Sequence, residues 1–277
     1  MTDMTTTAPS RRADAATPDR PPGAFAWRTL GAVLVLAALT WGTFNVVGLF
    51  AHEERTEVTT FDANGVDVVD VANGAGSVTV VGVDGVDTIT VTARISDGLR
   101  TTGNRQTVDG GRLELRGSCP VLLGSEWCDV DYTVEVPSDV EVVARSGDAR
   151  IVVSGVDAAI DVDNDNGSID IADVGGPLTV DNDNGRITAT GVRSSTVVAT
   201  NNNGRVELVF ADPPMSVEAR SENGTVEVVV PDTDDTYRLD ISTENGEVEQ
   251  LLRIDPASER SILVRSDNGD VIARMAS

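Results

Sequence analysis

The chain has 277 residues, and its 21 basic residues, all of them arginine, face 45 acidic ones, for a formal net charge of −24. Such an acidic surface repels nucleic acid, because that binding depends on basic side chains displacing counterions from phosphates. The lack of lysine also excludes Schiff-base chemistry and Walker-type phosphate loops.

The first 51 residues predict a tail and a membrane anchor. Residues 1–28 are rich in Thr, Ala, Pro and Arg without apolar periodicity, which predicts a disordered cytoplasmic tail. Residues 29–51 carry no charge, and a helix of that length crosses a hydrocarbon core of about 30 Å. Arginines precede this run and glutamates follow it, so the positive-inside rule predicts a single-pass membrane protein with its C-terminal domain outside the cytoplasm. A buried core helix and a cleaved signal peptide are the alternatives.

Residues 56–139 predict an antiparallel β region that caps the domain behind it. The runs "TITVTARI" and "VDYTVEVP" alternate apolar and polar residues as half-buried strands do. Such a region would protect the first strand edge of that domain. Cys119 and Cys128 are predicted to form a disulfide, because the inferred compartment is oxidising. Two buried thiols are the alternative.

Residues 140–277 repeat a short pattern around anchor glycines that begin at Gly147 and lie 18 to 23 residues apart. Side chains seven and five positions before each glycine are apolar, and the alternation resumes two and four positions after it. Each repeat therefore holds two short strands, which cannot bury their apolar face alone. The prediction is an all-β fold, a parallel β-solenoid of about seven short coils with the antiparallel region as its N-terminal cap, preceded by the transmembrane helix.

An asparagine precedes six of these glycines, and Asn-Gly tolerates the positive φ that a tight corner needs. In stacked coils the side-chain amides would hydrogen-bond along the column as a ladder. The predicted ladder residues are Asn166, Asn184, Asn203, Asn223, Asn245 and Asn268.

Acidic residues next to these corners raise the alternative of a calcium site. The oxygen donors would be Asp163, Asp165, Asp181 and Asp183. An EF-hand loop fits poorly, because Val162 and Val180 occupy its first ligand position. The favoured interpretation is a solvated acidic column without a cofactor, and weak calcium binding between coils is the alternative.

The stretch "DYTVEVPSDVEVVARSGDARIVV" followed by "NGxVxV" repeats resembles the bacterial DUF4097 family of β-strand-repeat proteins, which also carries the name adhesin. The resemblance covers about residues 56–276 and is specific for architecture rather than activity. It implies an envelope-exposed β-solenoid and brings no catalytic residues with it. The lysine-free composition suggests an actinobacterial source.

Three functions remain open at this point. The favoured one is a membrane-anchored, non-enzymatic module for surface binding, adhesion or envelope sensing, with an envelope polymer or a protein as its partner. A polysaccharide-acting enzyme is the second, because carboxylates are abundant and a glycosidase needs only two. No catalytic residue is predicted, since the folded region lacks histidine and acidic residues follow a repeating register. A calcium-stabilised structural stalk is the third.

Overall fold

A computed structural model describes residues 24–50, 53–97, 102–118 and 128–276. The chain divides into two compact units, Met1–Leu49 and Phe50–Ser277. Helix α1 spans Ala24–Phe50. The second unit contains the strands, which run in chain order as β1 (Glu53–Asp62), β2 (Val68–Ala75), β3 (Val78–Val83), β4 (Thr88–Asp97), β5 (Gly103–Asp109), β6 (Arg112–Ser118), β7 (Asp129–Pro137), β8 (Glu141–Asp148), β9 (Ile151–Ser154), β10 (Ile160–Ala172), β11 (Leu178–Val192), β12 (Thr196–Asn203), β13 (Val206–Phe210), β14 (Ser216–Asn223), β15 (Val226–Val230), β16 (Arg238–Asn245), β17 (Val248–Leu251), β18 (Ser261–Asn268) and β19 (Val271–Met275).

The apolar N-terminal run forms a helix, but the predicted membrane span is wrong for the part of the chain that the structure describes. Within that part, no helix is long and apolar enough to cross a membrane. The same finding contradicts the predicted membrane partner and the predicted single-pass localisation.

The strands join into one 19-stranded sheet that mixes parallel and antiparallel pairs. One run of neighbours is β5–β6–β2–β8–β10–β11–β12–β14–β18–β16. The other is β1–β4–β7–β3–β9–β10–β11–β13–β15–β19–β17. The pairs β1–β4, β4–β7 and β5–β6 are antiparallel, and the others named here are parallel.

This topology contradicts the predicted parallel solenoid with a separate cap. The antiparallel strands hydrogen-bond directly to the parallel ones, with β7 beside β3 and β6 beside β2, so both regions belong to one mixed sheet. Separate coils do not follow one another along the chain either. The last strands, β18 and β19, insert between β14–β15 and β16–β17.

The insertion has a physical basis in the inward-facing side chains. Ile262 of β18 and Val271 of β19 are 1% and 0% exposed between their neighbours. The edge strand β17 is less apolar on its inward face, where Gln250 stands beside Ala273 of β19. The more apolar strand pair therefore lies inside, where its burial contributes most.

Matching repeats lie in exact register across the parallel strands. Val162 of β10 pairs with Val180 of β11, which pairs with Ala199 of β12. All three side chains are fully or almost fully buried. A column of small aliphatic side chains fills the interior, which explains why β-branched residues dominate these strands.

Candidate binding face and its polar columns

The six asparagines of the Asn-Gly turns form one hydrogen-bonded row, called here the outer asparagine ladder. Five bonds of 3.0 to 3.2 Å join the amide nitrogen of one member to the amide oxygen of the next. In spatial order the members are Asn166, Asn184, Asn203, Asn223, Asn268 and Asn245. Their side chains are exposed, so water competes for each bond and its net contribution to stability is small.

A second row, the inner polar column, lies two residues earlier on the buried side of the same strands. Asn182 Nδ2 donates to Gly167 O at 3.3 Å, and Asn201 Nδ2 donates to Gly185 O at 2.9 Å. Each side chain thus satisfies a carbonyl of the neighbouring turn. In spatial order the column contains Asn73, Ser146, Asn164, Asn182, Asn201, Ser221, Ser266 and Thr243.

The sequence interpretation did not identify the inner polar column, although a signal exists. Asn164, Asn182 and Asn201 stand three residues before an anchor glycine, which puts them on the same inward face as the apolar positions. A polar residue recurring on an apolar face indicates a buried hydrogen-bonding role. All three are 0–1% exposed.

The turn glycines permit a close approach of neighbouring main chains. Gly204 has a φ of +139°, and a Cβ built on it would lie 1.7 Å from Gly185 O. No side chain fits that space, because the stacking of the turns brings one backbone directly against the next. Glycine is therefore required here by contact as well as by conformation.

The acidic residues beside the ladder are exposed and form a column with one interruption. Asn202 stands among them and donates a hydrogen bond to Asp183 Oδ1 at 2.5 Å. The exposed members are Asp165, Asp183, Glu222, Asp267 and Glu244. An exposed row of like charges is weakly coupled, because water and salt screen it.

The four proposed calcium donors fall into two adjacent rows. Asp163 and Asp181 face each other in register on β10 and β11, and Asp165 and Asp183 follow two residues later. Partial burial raises the pKa of Asp181, and the charges of Asp163 and Asp183 raise it further. Among the residues that the structure describes, no group of three or more His, Cys, Asp or Glu side chains is arranged to hold a metal ion. Weak calcium binding at these residues stays an untested alternative.

The outer face of the first run of strands carries a row of polar and charged side chains, called here the outward row. It reads Arg145, Asp163, Asp181, Thr200, Arg220 and Arg265 on six neighbouring strands. Each side chain is exposed or half-buried. Parallel pairing places successive members about 4.8 Å apart, so the row is about 24 Å long. Arg145 stands at one end, the two aspartates follow it, and Arg220 and Arg265 stand at the other end.

One end of the outward row borders a cavity of about 470 Å³, to which Arg116, Arg145 and Asp163 contribute. Asp70 lies nearby and is 5% exposed. Arg116 Nη1 contacts Asp70 Oδ1 at 2.8 Å, and Arg112 Nη1 contacts Oδ2 at 2.9 Å. Burial alone would raise the pKa of Asp70, but the hydrogen bonds and charges of these arginines outweigh it and lower that pKa. Asp70 thereby anchors Arg116 at the rim of the cavity.

Cys119, one half of the predicted disulfide, lies outside the described residues. Cys128 is 9% exposed, and its sulfur lies 3.1 Å from Thr102 Oγ1. No cysteine in the described ranges is free. The pairing of Cys119 with Cys128 stays a prediction.

Comparison with known proteins yields structural likenesses only. No family model and no curated protein matches the chain. A "putative cell adhesion protein" from Clostridium sporogenes is 12% identical, with 81% of this chain and 100% of that chain covered and a TM-score of 0.39. A "putative adhesin" from Bacteroides fragilis is 13% identical, with 80% and 97% covered and a TM-score of 0.46. A "putative lipid binding protein" from Parabacteroides distasonis is 10% identical, with 80% and 97% covered and a TM-score of 0.32. These likenesses assign no family, so the DUF4097 resemblance and the actinobacterial source remain without support.

Proposed function

We propose that the chain is a non-enzymatic binding module of the adhesion type, which engages an extended, uncharged, hydroxyl-rich polymer along the outward row. The observation that carries the proposal is the row itself. In-register strands present hydrogen-bonding side chains at a constant interval over about 24 Å. A regular linear array suits a polymer that repeats along its length, whereas a compact ligand would contact only two or three members.

The mixed charge of the outward row favours an uncharged partner. A polyanion would meet Asp163 and Asp181 and the chain's net charge of −24. A polycation would meet Arg220 and Arg265. Hydroxyl groups donate to carboxylates and accept from guanidinium groups, so a polyol can bond to every member of the row.

The arginines of the outward row are available for exchange with a ligand. Arg220 Nε pairs with Glu218 Oε1 at 2.6 Å, and Arg265 Nη2 pairs with Asp240 Oδ2 at 2.7 Å. Both pairs are more than 40% exposed, and exposed ion pairs contribute little free energy. Replacing one of them with a hydrogen bond to a hydroxyl therefore costs little.

One observation favours a polysaccharide-acting enzyme as a second candidate. Asp163 and Asp181 lie in register on neighbouring strands, and the pKa of Asp181 is raised, as for a general acid. A retaining glycosidase uses two carboxyl groups about 5 Å apart. Both carboxylates, however, lie on the outer face of a sheet within reach of solvent, where water is not excluded from the reacting bond.

The test is affinity electrophoresis of the purified full-length chain through gels that contain neutral, anionic or cationic polysaccharides. We expect retardation by at least one neutral polymer, such as dextran or galactomannan, and loss of that retardation in the Arg220→Gln/Arg265→Gln double variant. Arg150→Gln/Arg193→Gln is the matched control, since it removes two exposed ion pairs outside the outward row.

Equal retardation of both double variants, or retardation by charged polymers alone, contradicts the proposal. Incubation of the same polymers with the chain, followed by measurement of new reducing ends, tests the enzyme. Their release by wild type and not by Asp181→Asn favours hydrolysis over binding.

A further inference from the structure

Strands β16 and β17 end the sheet on one side and are called here the open edge. β16 hydrogen-bonds to β18, and β17 hydrogen-bonds to β19. Neither strand pairs with a further strand among the described residues. Their outer N–H and C=O groups are therefore a template for another strand.

The open edge exposes an unusual amount of aliphatic surface. Val248 and Leu251 of β17 are 50% and 57% exposed. Leu239 and Ile241, which face the interior, are only partly buried because no strand covers them from outside. Exposed apolar side chains along an unpaired strand edge favour an interface with another chain.

The opposite side of the sheet differs from the open edge. There the edge strands β1 and β5 are bridged by polar side chains. Tyr132 Oη donates to Asn104 Oδ1 at 2.8 Å, and Asn104 Nδ2 donates to Glu57 Oε2 at 2.8 Å. Across the described residues of the open edge, no equivalent side-chain bond joins β16 to β17. The outward row includes no residue of β16 or β17, so it does not explain the open edge.

The charges of β16 are complementary to those of β16 in a second copy. Antiparallel pairing centred on Ile241 places Arg238 opposite Glu244 twice, once on each side of the two-fold axis. It also places Leu239 opposite Thr243, so inward-facing side chains stay on the inward face. Neither Arg238 nor Glu244 forms an ion pair with another residue that the structure describes.

We propose that the open edge binds a second copy of this chain through antiparallel β16–β16 pairing. The contact is isologous and closes after two copies, so it forms a dimer rather than a fibre. Val248 and Leu251 lie on β17 at the same end of the sheet and face the partner in that dimer. Because each copy carries a net charge of −24, added salt strengthens the dimer by screening the repulsion between copies.

Sedimentation velocity of the full-length chain, over a dilution series at low and high sodium chloride, measures the association. We expect a monomer–dimer equilibrium whose dissociation constant falls as salt rises. Val248→Lys places a charge in the interface and yields a monomer. Val108→Lys is the matched control, because Val108 is an exposed valine of the opposite edge strand β5, at 49%, and its dimer is unchanged.

Charge reversal tests the pairing register itself. Arg238→Glu brings like charges together twice and weakens the dimer roughly tenfold. The double variant Arg238→Glu/Glu244→Arg restores the pairs and the affinity. A wild-type monomer at every concentration overturns the proposal. So does a dimer that both Val248→Lys and Arg238→Glu leave intact, since it forms through another surface. Far-UV circular dichroism confirms that each variant is folded.

Discussion

Asn201 Nδ2 donates a hydrogen bond to Gly185 O at 2.9 Å, and the Asn201 side chain is fully buried. The bond joins neighbouring turns from inside the sheet. Asn203, two residues later, makes its bonds to Asn184 Oδ1 and Asp183 O in the exposed row. Two asparagines of one turn thus do similar chemistry in different dielectric surroundings, and their energetic contributions should differ.

We expect Asn201→Ala to lower the free energy of unfolding by about 1–3 kcal/mol, because it removes a hydrogen bond that a fully buried side chain donates to Gly185 O. Asn203→Ala should cost less than about 1 kcal/mol, since water replaces the lost partner. Denaturant unfolding of both variants measures the difference. Equal costs would mean that the two rows are equally shielded from solvent.

Gly204→Ala should destabilise the chain by about 3 kcal/mol, because its Cβ would overlap Gly185 O and its φ is unfavourable for alanine. Gly74→Ala is the matched control, since a Cβ at Gly74 meets nothing within 4 Å. Thermal melting of both variants distinguishes a steric requirement from a general preference for glycine near turns. A Gly204→Ala melting temperature equal to that of Gly74→Ala would refute the close approach of the two turns.

Asp181 provides a pH-dependent prediction. Its pKa is raised by burial and by the charges of Asp163 and Asp183. A carboxyl with a raised pKa in the folded state contributes stability while protonated, and that contribution is lost as the pH rises from about 3.9 through the folded pKa. Asp181→Asn should therefore raise the Tm at pH 7, and the gain should disappear below about pH 3.9. A variant that melts below wild type at pH 7 would show that the carboxylate is stabilising.

Millimolar calcium, compared with chelator at matched ionic strength, should leave the Tm unchanged. A cation bound only by the folded state raises stability by mass action, and the described acidic side chains form no complete ligand group. A rise in Tm that is absent from Asp163→Asn/Asp181→Asn would instead support calcium binding between the two strands.

The local pattern was readable in the sequence because it follows from backbone geometry. Alternating apolar residues before Gly185 and Gly204 predict strands with one buried face, and Asn-Gly predicts the turns. The register Val162–Val180–Ala199 follows from aligning those turns. None of these predictions needs information from residues more than one repeat apart.

One repeat was misaligned, for an instructive reason. The sequence pattern takes Gly147 as its anchor, but Ser146 pairs with Asn164 and Asp148 pairs with Asn166. Position 149, an alanine, is therefore the equivalent of Gly167. A slip of two residues leaves every side chain on its original face, so apolar alternation cannot detect it.

The sequence pattern did not predict the strand order or the mixed sheet. Repeats with the same period can pair in many orders, and the choice depends on small differences in burial, such as Gln250 at an inward position. Likewise, alternation does not distinguish antiparallel from parallel neighbours. The outward row was missed for a similar reason, since its members come from six strands and share no local motif.

The position of β18 and β19 between earlier strands has a consequence for synthesis. β16 leaves the ribosome before β18, and its turn asparagine can align with that of β14 just as Asn268 does in the finished fold. Pairing of β16 with β14 therefore competes with the native arrangement until residues 261–275 have emerged. The native sheet then forms only if β18 and β19 displace β16 and β17, or if β16 and β17 have not yet paired. The outcome depends on the rate of synthesis and on the greater aliphatic burial of the later strands.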